Sequence, residues 1–197
     1  DGLPVWIDKP ICEDTEHIDL LRKAVTKNNA LITGGSTLKY NYEILNLKNK
    51  VKTGAIGDVS GGCMNFPGDL ASVYGGIFFY ASHLCEMALT VFGYDIKSVI
   101  ASRVDDENFS VIAKYADKQV SLDFNNHTPK WHLLVYGSKD IATAELDCSI
   151  IYILGFDKFV EMLRTKRMPL SFEQLVKPVY MINAIQKSLD EGKEIYV

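Results

Sequence analysis

The sequence is poor in cysteine and shows no pairing pattern in what it has: Cys12, Cys63, Cys85 and Cys148 are scattered, with no C-x-x-C among them. That excludes a disulfide-stapled scaffold and a zinc or redox site of the C-x-x-C kind, and a reduced, cytoplasmic setting is expected. No apolar run approaches the roughly 20 residues that span a bilayer. The longest, Gly75 to Phe92, is broken by His83 and Glu86, so no membrane partner is expected. Positive charge is in deficit, with 21 Lys and Arg against 25 Asp and Glu; no bulk field draws a nucleic acid to the chain. The glycine pairs Gly34-Gly35, Gly61-Gly62 and Gly75-Gly76 fit neither G-x-G-x-x-G nor G-x-x-x-x-G-K-[ST], which leaves no phosphate-cradling loop. His127 and His132 flank a turn without an acidic or thiol neighbour at ligand spacing, and no metal is expected there. Repeats and low-complexity segments are also lacking; the triplets at Asn108 and Asn126 match glycosylation acceptors, but nothing resembling a signal peptide precedes them in the sequence and they are expected to be chance.

What is present is an ordinary globular composition, 47% hydrophobic and 23% charged over 197 residues, enough to bury a sizeable core. The chain opens at Asp1 and runs at once into the strand-like Leu3–Ile7, with no helix or turn before it, and reads like a fragment. Glu13-Asp14-Thr15 caps a helix with Ile18, Leu21 and Val25 at helical spacing, and Ala30–Thr33 is a second short strand. This β-α-β start is the opening of an α/β layer. A helix over about Tyr40–Asn49 and a strand after Gly54 follow; Asn65–Ser72 reads as a loop. Gly76–Phe92 is a long apolar helix ended by Gly93.

Five strands come next (98–104, 109–115, 119–124, 131–136 and 141–146), joined by turns so short that a mainly antiparallel sheet is predicted. Two helices close the chain, over about 156–165 and 172–191, the second opening on the capping box Ser171–Gln174 and tolerating Pro178 by a kink or a late start. The predicted fold class is α+β: a large open sheet with helices packed on one face. Apolar side chains alternating on the other face predict self-association.

Two residues stand out for chemistry. Lys9 follows directly on the first strand, at the carboxyl end where α/β sheets place ligands, although a surface lysine at a strand end is the plainer reading. His83 lies in the most apolar helix of the chain, with Glu86 three residues on and on the same face; the pair suits proton handling or a structural hydrogen bond. Tyr40, Tyr42, Tyr74, Tyr80 and Trp131 offer stacking surfaces for a sugar ring and equally good core material.

These residues carry a resemblance. Val5-Trp-Ile-Asp-Lys-Pro-Ile11, Ala30-Leu-Ile-Thr-Gly-Gly35, Leu38-Lys-Tyr40, Gly54-Ala-Ile-Gly-Asp58, Gly75-Gly-Ile-Phe-Phe-Tyr-Ala-Ser-His83, Tyr136-Gly-Ser138, Met168-Pro-Leu-Ser171 and Ala184-Ile-Gln-Lys-Ser188 occur in order across the chain. Together they resemble the Gfo/Idh/MocA oxidoreductases, from the Glu-Lys-Pro motif onward. The resemblance implies a single C-terminal substrate-binding and oligomerisation domain over residues 1–197, preceded by a terminal Rossmann-type strand, its N-terminal nucleotide-binding domain lying outside this chain. It also implies NAD or NADP as cofactor, a sugar, polyol or related cyclic alcohol as substrate, and a homodimer or homotetramer through the open sheet face. Lys9 and His83 would be catalytic, Lys9 and Pro10 would lie against the nicotinamide, and Lys39, Tyr80 and Glu86 would meet the substrate.

Two departures from the family pattern matter. Asp8 stands in place of the usual Glu, and Phe79 stands where a catalytic Asp is common, so Glu86 is expected to orient His83 instead. A non-catalytic sugar-binding or regulatory relative, and a purely structural oligomerisation domain, are the rival readings.

Overall fold

A computed structural model describes residues 2–197. A small parallel pair is formed by β1 (Val5–Ile7) and β2 (Ile32–Gly34), with α1 (Thr15–Asn28) between them. Asp14 caps α1 through its side chain, and Ile18 is fully buried with Ile32, Leu175 and Val179 on one face of the pair. A turn of 3-10 helix (Thr37–Tyr40) leads into α2 (Tyr42–Lys52), β3 (Val59–Phe66) and α3 (Ile77–Phe92). Then come β4 (Ser98–Asp105), β5 (Asn108–Lys114), β6 (Gln119–Asn125), β7 (His132–Gly137) and β8 (Ile141–Glu145). The chain closes with α4 (Ile151–Thr165), α5 (Phe172–Glu191) and β9 (Ile195–Tyr196).

The predicted α+β class is what forms: a seven-stranded open sheet, order β8-β7-β3-β6-β5-β4-β9, with α2, α3 and α5 packed against it. Inward residues such as Val111, Leu122, Phe124 and Val135 are fully buried, and α3 is apolar all round because it lies between the sheet and its two neighbouring helices. The sheet is mainly antiparallel, as expected, with one parallel pair. The five later strands are not consecutive neighbours, since β3 inserts between β6 and β7, parallel to the first and antiparallel to the second. Gly61 and Gly62 make this tight fit feasible; a Cβ on them would lie 2.4 Å from the carbonyl oxygens of Gln119 and Leu134 respectively.

Helix α5 continues unbroken past Pro178 and does not start late, and α4 begins at Ile151, a turn earlier than its pattern suggested. The open sheet face is also less apolar than expected: at its centre Asp123 accepts hydrogen bonds from Ser110, Ser121 and Cys63. Exposed apolar side chains on this face, Ile100, Tyr136 and Ile141, lie toward its two edges.

The parallel pair is covered on both faces. Ile7 packs with the α1 and α5 cluster, whereas Trp6 meets Phe159 of α4 edge-on at 6.1 Å. Gly155 lets α4 approach this closely, since a Cβ there would lie 2.3 Å from Thr37. Val5 donates to Leu31 and Ile7 accepts from Gly35 across the pair. By the pleat's alternation the N–H and C=O of Trp6 point away from β2, toward an edge with no neighbouring strand. Apolar grooves flank β1 on either face, one lined by Leu3, Val5 and Leu21, the other by Trp6, Tyr152, Ile153 and Phe156.

Candidate active site

Lys9 leaves the end of β1 at a cis Lys9–Pro10 bond and reaches the first turn of α3. Its ammonium donates to the Phe79 carbonyl at 3.0 Å and stands 3.2 Å from the centre of the Phe79 ring. Burial pulls its pKa below the ordinary lysine value, and the neighbouring Asp8 carboxylate works against that pull. Pro10 is half-buried beside it. Phe79 thus offers the ammonium a ring face and a main-chain carbonyl oxygen. It is itself half-buried, between Tyr74 (5.1 Å) and Tyr80 (4.8 Å, edge-on).

His83 lies one helical turn beyond the carbonyl that Lys9 occupies. Its ring rests on Phe66 at 5.3 Å, and Phe66 in turn rests on Trp131 at 5.0 Å. Burial lowers its pKa to about 3, with the Lys9 charge acting in the same direction. Nδ1 lies 2.7 Å from Ser36 Oγ.

The pairing expected of Glu86 with His83 does not form. Glu86 is buried; one carboxylate oxygen accepts from the Ser36 backbone N–H at 2.6 Å, the other from Lys39 Nζ. Lys39, only 2% exposed, also donates to the Gly34 carbonyl at 2.5 Å. Burial pushes the Glu86 carboxyl up, against the opposing pull of the Lys39 ammonium. Lys39 and Glu86, expected at a substrate, therefore lie beneath the loop that follows β2, because a carboxylate this deep has to be paired with a cation. Gly35 makes the approach possible: its φ is +73°, and a Cβ would stand 2.5 Å from the Glu86 carboxylate.

Of the other stacking candidates, Tyr40 is buried, Tyr42 and Tyr74 are exposed, and Tyr80 and Trp131 are half-buried. Among the described residues, no three His, Cys, Asp or Glu side chains converge as metal ligands would. Sequence reasoning missed Ser36 and Phe66. The only signal for Ser36 was a hydroxyl residue just past a Gly-Gly strand end, a position suited to capping; Phe66 carried none.

The wall from β1 to α3 thus presents a desolvated amine, an imidazole and aromatic faces. Such a set can bind an alcohol and accept or return its proton.

No protein-family profile and no curated protein matches the chain. Solved structures do. Myo-inositol dehydrogenase from Corynebacterium glutamicum superimposes with a TM-score of 0.83 at 15% identity, over 100% of this chain and 73% of that one. Scyllo-inositol dehydrogenase from Lactobacillus casei, with bound NAD(H) and scyllo-inositol, gives 0.82 at 13% identity, over 98% and 72%. The WlbA dehydrogenase from Chromobacterium violaceum, in complex with NADH and UDP-GlcNAcA, gives 0.80 at 15%, over 100% and 71%. The chain has the fold of these dehydrogenases, as the resemblance to the C-terminal half of Gfo/Idh/MocA enzymes implies.

Proposed function

We propose that this chain is the substrate-binding and oligomerisation part of an oxidoreductase that uses NAD or NADP and acts on a sugar, polyol or related cyclic alcohol. The observation that carries the reading is that Lys9, from the β1–α1 connection, reaches the Phe79 carbonyl one turn before His83 on α3, close enough for its charge to act on the imidazole. The cofactor would supply the hydride acceptor. Lys9 would take the proton from the substrate hydroxyl, a role that its lowered pKa favours, while His83 hydrogen-bonds the same oxygen and Tyr80 stacks on the ring.

The residues present suit only the reacting end of such a cofactor, with Lys9 and Pro10 against the nicotinamide. The β1–α1 connection holds no glycine, and α1 is capped by Asp14 and carries Glu16 in its first turn, charges that would repel a pyrophosphate. The dinucleotide would be held by a neighbouring α/β half that completes the parallel pair. An unpaired β1 edge with apolar grooves on both faces supports this, since parallel strands seldom stand as a pair. A homodimer or homotetramer through the open face of the seven-stranded sheet completes the reading, supported by its exposed Ile100, Tyr136 and Ile141.

The test is turnover of inositols, other polyols and sugars by the full-length protein with NAD and NADP, followed by nicotinamide absorbance. Lys9→Ala is expected to lower it by about 10² to 10⁴-fold; full turnover in that variant overturns the catalytic role. One observation favours a second reading, a non-catalytic sugar binder. Phe79, at the position where the resembling family commonly has an acid, occupies the Lys9 ammonium with its main-chain carbonyl and ring. Calorimetric binding of a sugar without turnover would support it.

A further inference from the structure

The hydrogen bonds around Ser36 decide which nitrogen of His83 carries the proton. Ser36 is fully buried, and its Oγ has two partners: it accepts from the Leu38 backbone N–H at 3.2 Å and lies 2.7 Å from His83 Nδ1. A serine hydroxyl holds one proton. Were Nδ1 to donate, Oγ would accept twice and its own proton would be stranded in the core without an acceptor, a cost of about 1–3 kcal/mol. The consistent arrangement is Ser36 donating to Nδ1, which leaves the imidazole proton on Nε2. That atom has no protein partner among the described residues, and the His83 side chain is only partly buried. Ser36 is itself pinned by its backbone N–H to Glu86, which Lys39 holds in turn.

We infer that Ser36 is a positioning residue that fixes His83 as a neutral imidazole with its proton on Nε2, so that the site offers substrate a hydrogen-bond donor there and not a base. This rests on the function proposed above, and it assigns proton acceptance to Lys9 alone. The low pKa of His83 agrees, since a ring that stays neutral keeps its Nδ1 lone pair for Ser36. The charged groups around it are Lys9 from the β1–α1 connection and the Glu86–Lys39 pair below Ser36.

The test is long-range proton–nitrogen correlation NMR on the chain labelled with ¹⁵N-histidine. The sequence has four histidines, and His83 is assigned by the signal that His83→Gln removes. The expected spectrum at neutral pH shows His83 with Nδ1 unprotonated and Nε2 protonated. Ser36→Ala is expected to shift the Nδ1 signal and bring the two nitrogens toward an exchange average, and Ser36→Thr, which keeps the hydroxyl, to restore the native pattern. A proton on Nδ1 in the native chain overturns the inference whether or not the variants fold. Unchanged nitrogen signals in a folded Ser36→Ala also overturn it. Failure of the oxidoreductase reading looks different, as the expected tautomer in a full-length protein that turns over no alcohol.

Discussion

Lys39→Met should be among the most damaging single substitutions in this protein. The ammonium of Lys39 and the carboxylate of Glu86 are 2% and 5% exposed and form a direct ion pair. Methionine fills most of the volume but leaves Glu86 buried with only the Ser36 N–H as partner. Breaking one side of such a pair costs about 3–5 kcal/mol, against a total stability of about 5–15 kcal/mol for a domain. The loss should depend on pH with a defined sign. The Glu86 carboxyl already lies above its unfolded value through burial, and without Lys39 it rises further. The folded variant then holds a proton that the unfolded chain has released, so its stability falls as pH rises from about 4.5 through the new pKa, by at most about 1.4 kcal/mol per pH unit. Lys39→Met combined with Glu86→Gln removes both charges and keeps an acceptor for Ser36, so most of the loss should return as a coupling of about 2–3 kcal/mol. Urea unfolding of the four proteins at several pH values, followed by tryptophan fluorescence and compared at constant m, gives each quantity. A loss below about 1 kcal/mol for Lys39→Met, or strict additivity in the double variant, would refute the reasoning.

Gly35→Ala places a Cβ at φ +73° and 2.5 Å from the Glu86 carboxylate; a loss of about 1–3 kcal/mol is expected, and an unchanged melting temperature would contradict it. His83 titrates near 6.5 when unfolded and near 3 when folded, so the unfolded chain binds more protons between those values. Stability should therefore fall on acidification through that window, by up to about 1.4 kcal/mol per unit before solvent screening, and His83→Gln should flatten the urea midpoint against pH. In a protein carrying the completing α/β half, the Trp6 amide should be protected from hydrogen exchange, whereas in this chain alone it should exchange fast, because its N–H points to the unpaired edge of β1.

Much of this protein is legible residue by residue. The helical spacing of Ile18, Leu21 and Val25, the Ser171–Gln174 capping box, the apolar length of α3 with Gly93 at its end, and the alternation along β5 and β6 all follow from local rules, and each is found where those rules put it. Hydrophobic periodicity and capping act over a few residues, so a linear reading reaches them. Lys9 and His83 could be singled out for the same reason, one by its place after a strand and the other by its apolar surroundings.

Partnership across the fold is a different matter. That β3 separates β6 from β7, that Lys39 and Glu86 neutralise each other beneath the loop after β2, and that Ser36 and not Glu86 holds the imidazole depend on contacts dozens of residues apart. Glu86 shares a helix face with His83, which makes the pair look natural in sequence, but a buried carboxylate goes to the strongest donors within reach, and only packing brings Lys39 and the Ser36 N–H there. Local chemistry therefore determined the elements and the reactive groups, while the tertiary structure decided which groups satisfy one another, because the cost of leaving a charge or a hydroxyl proton unpaired arises only once the fold has removed the water.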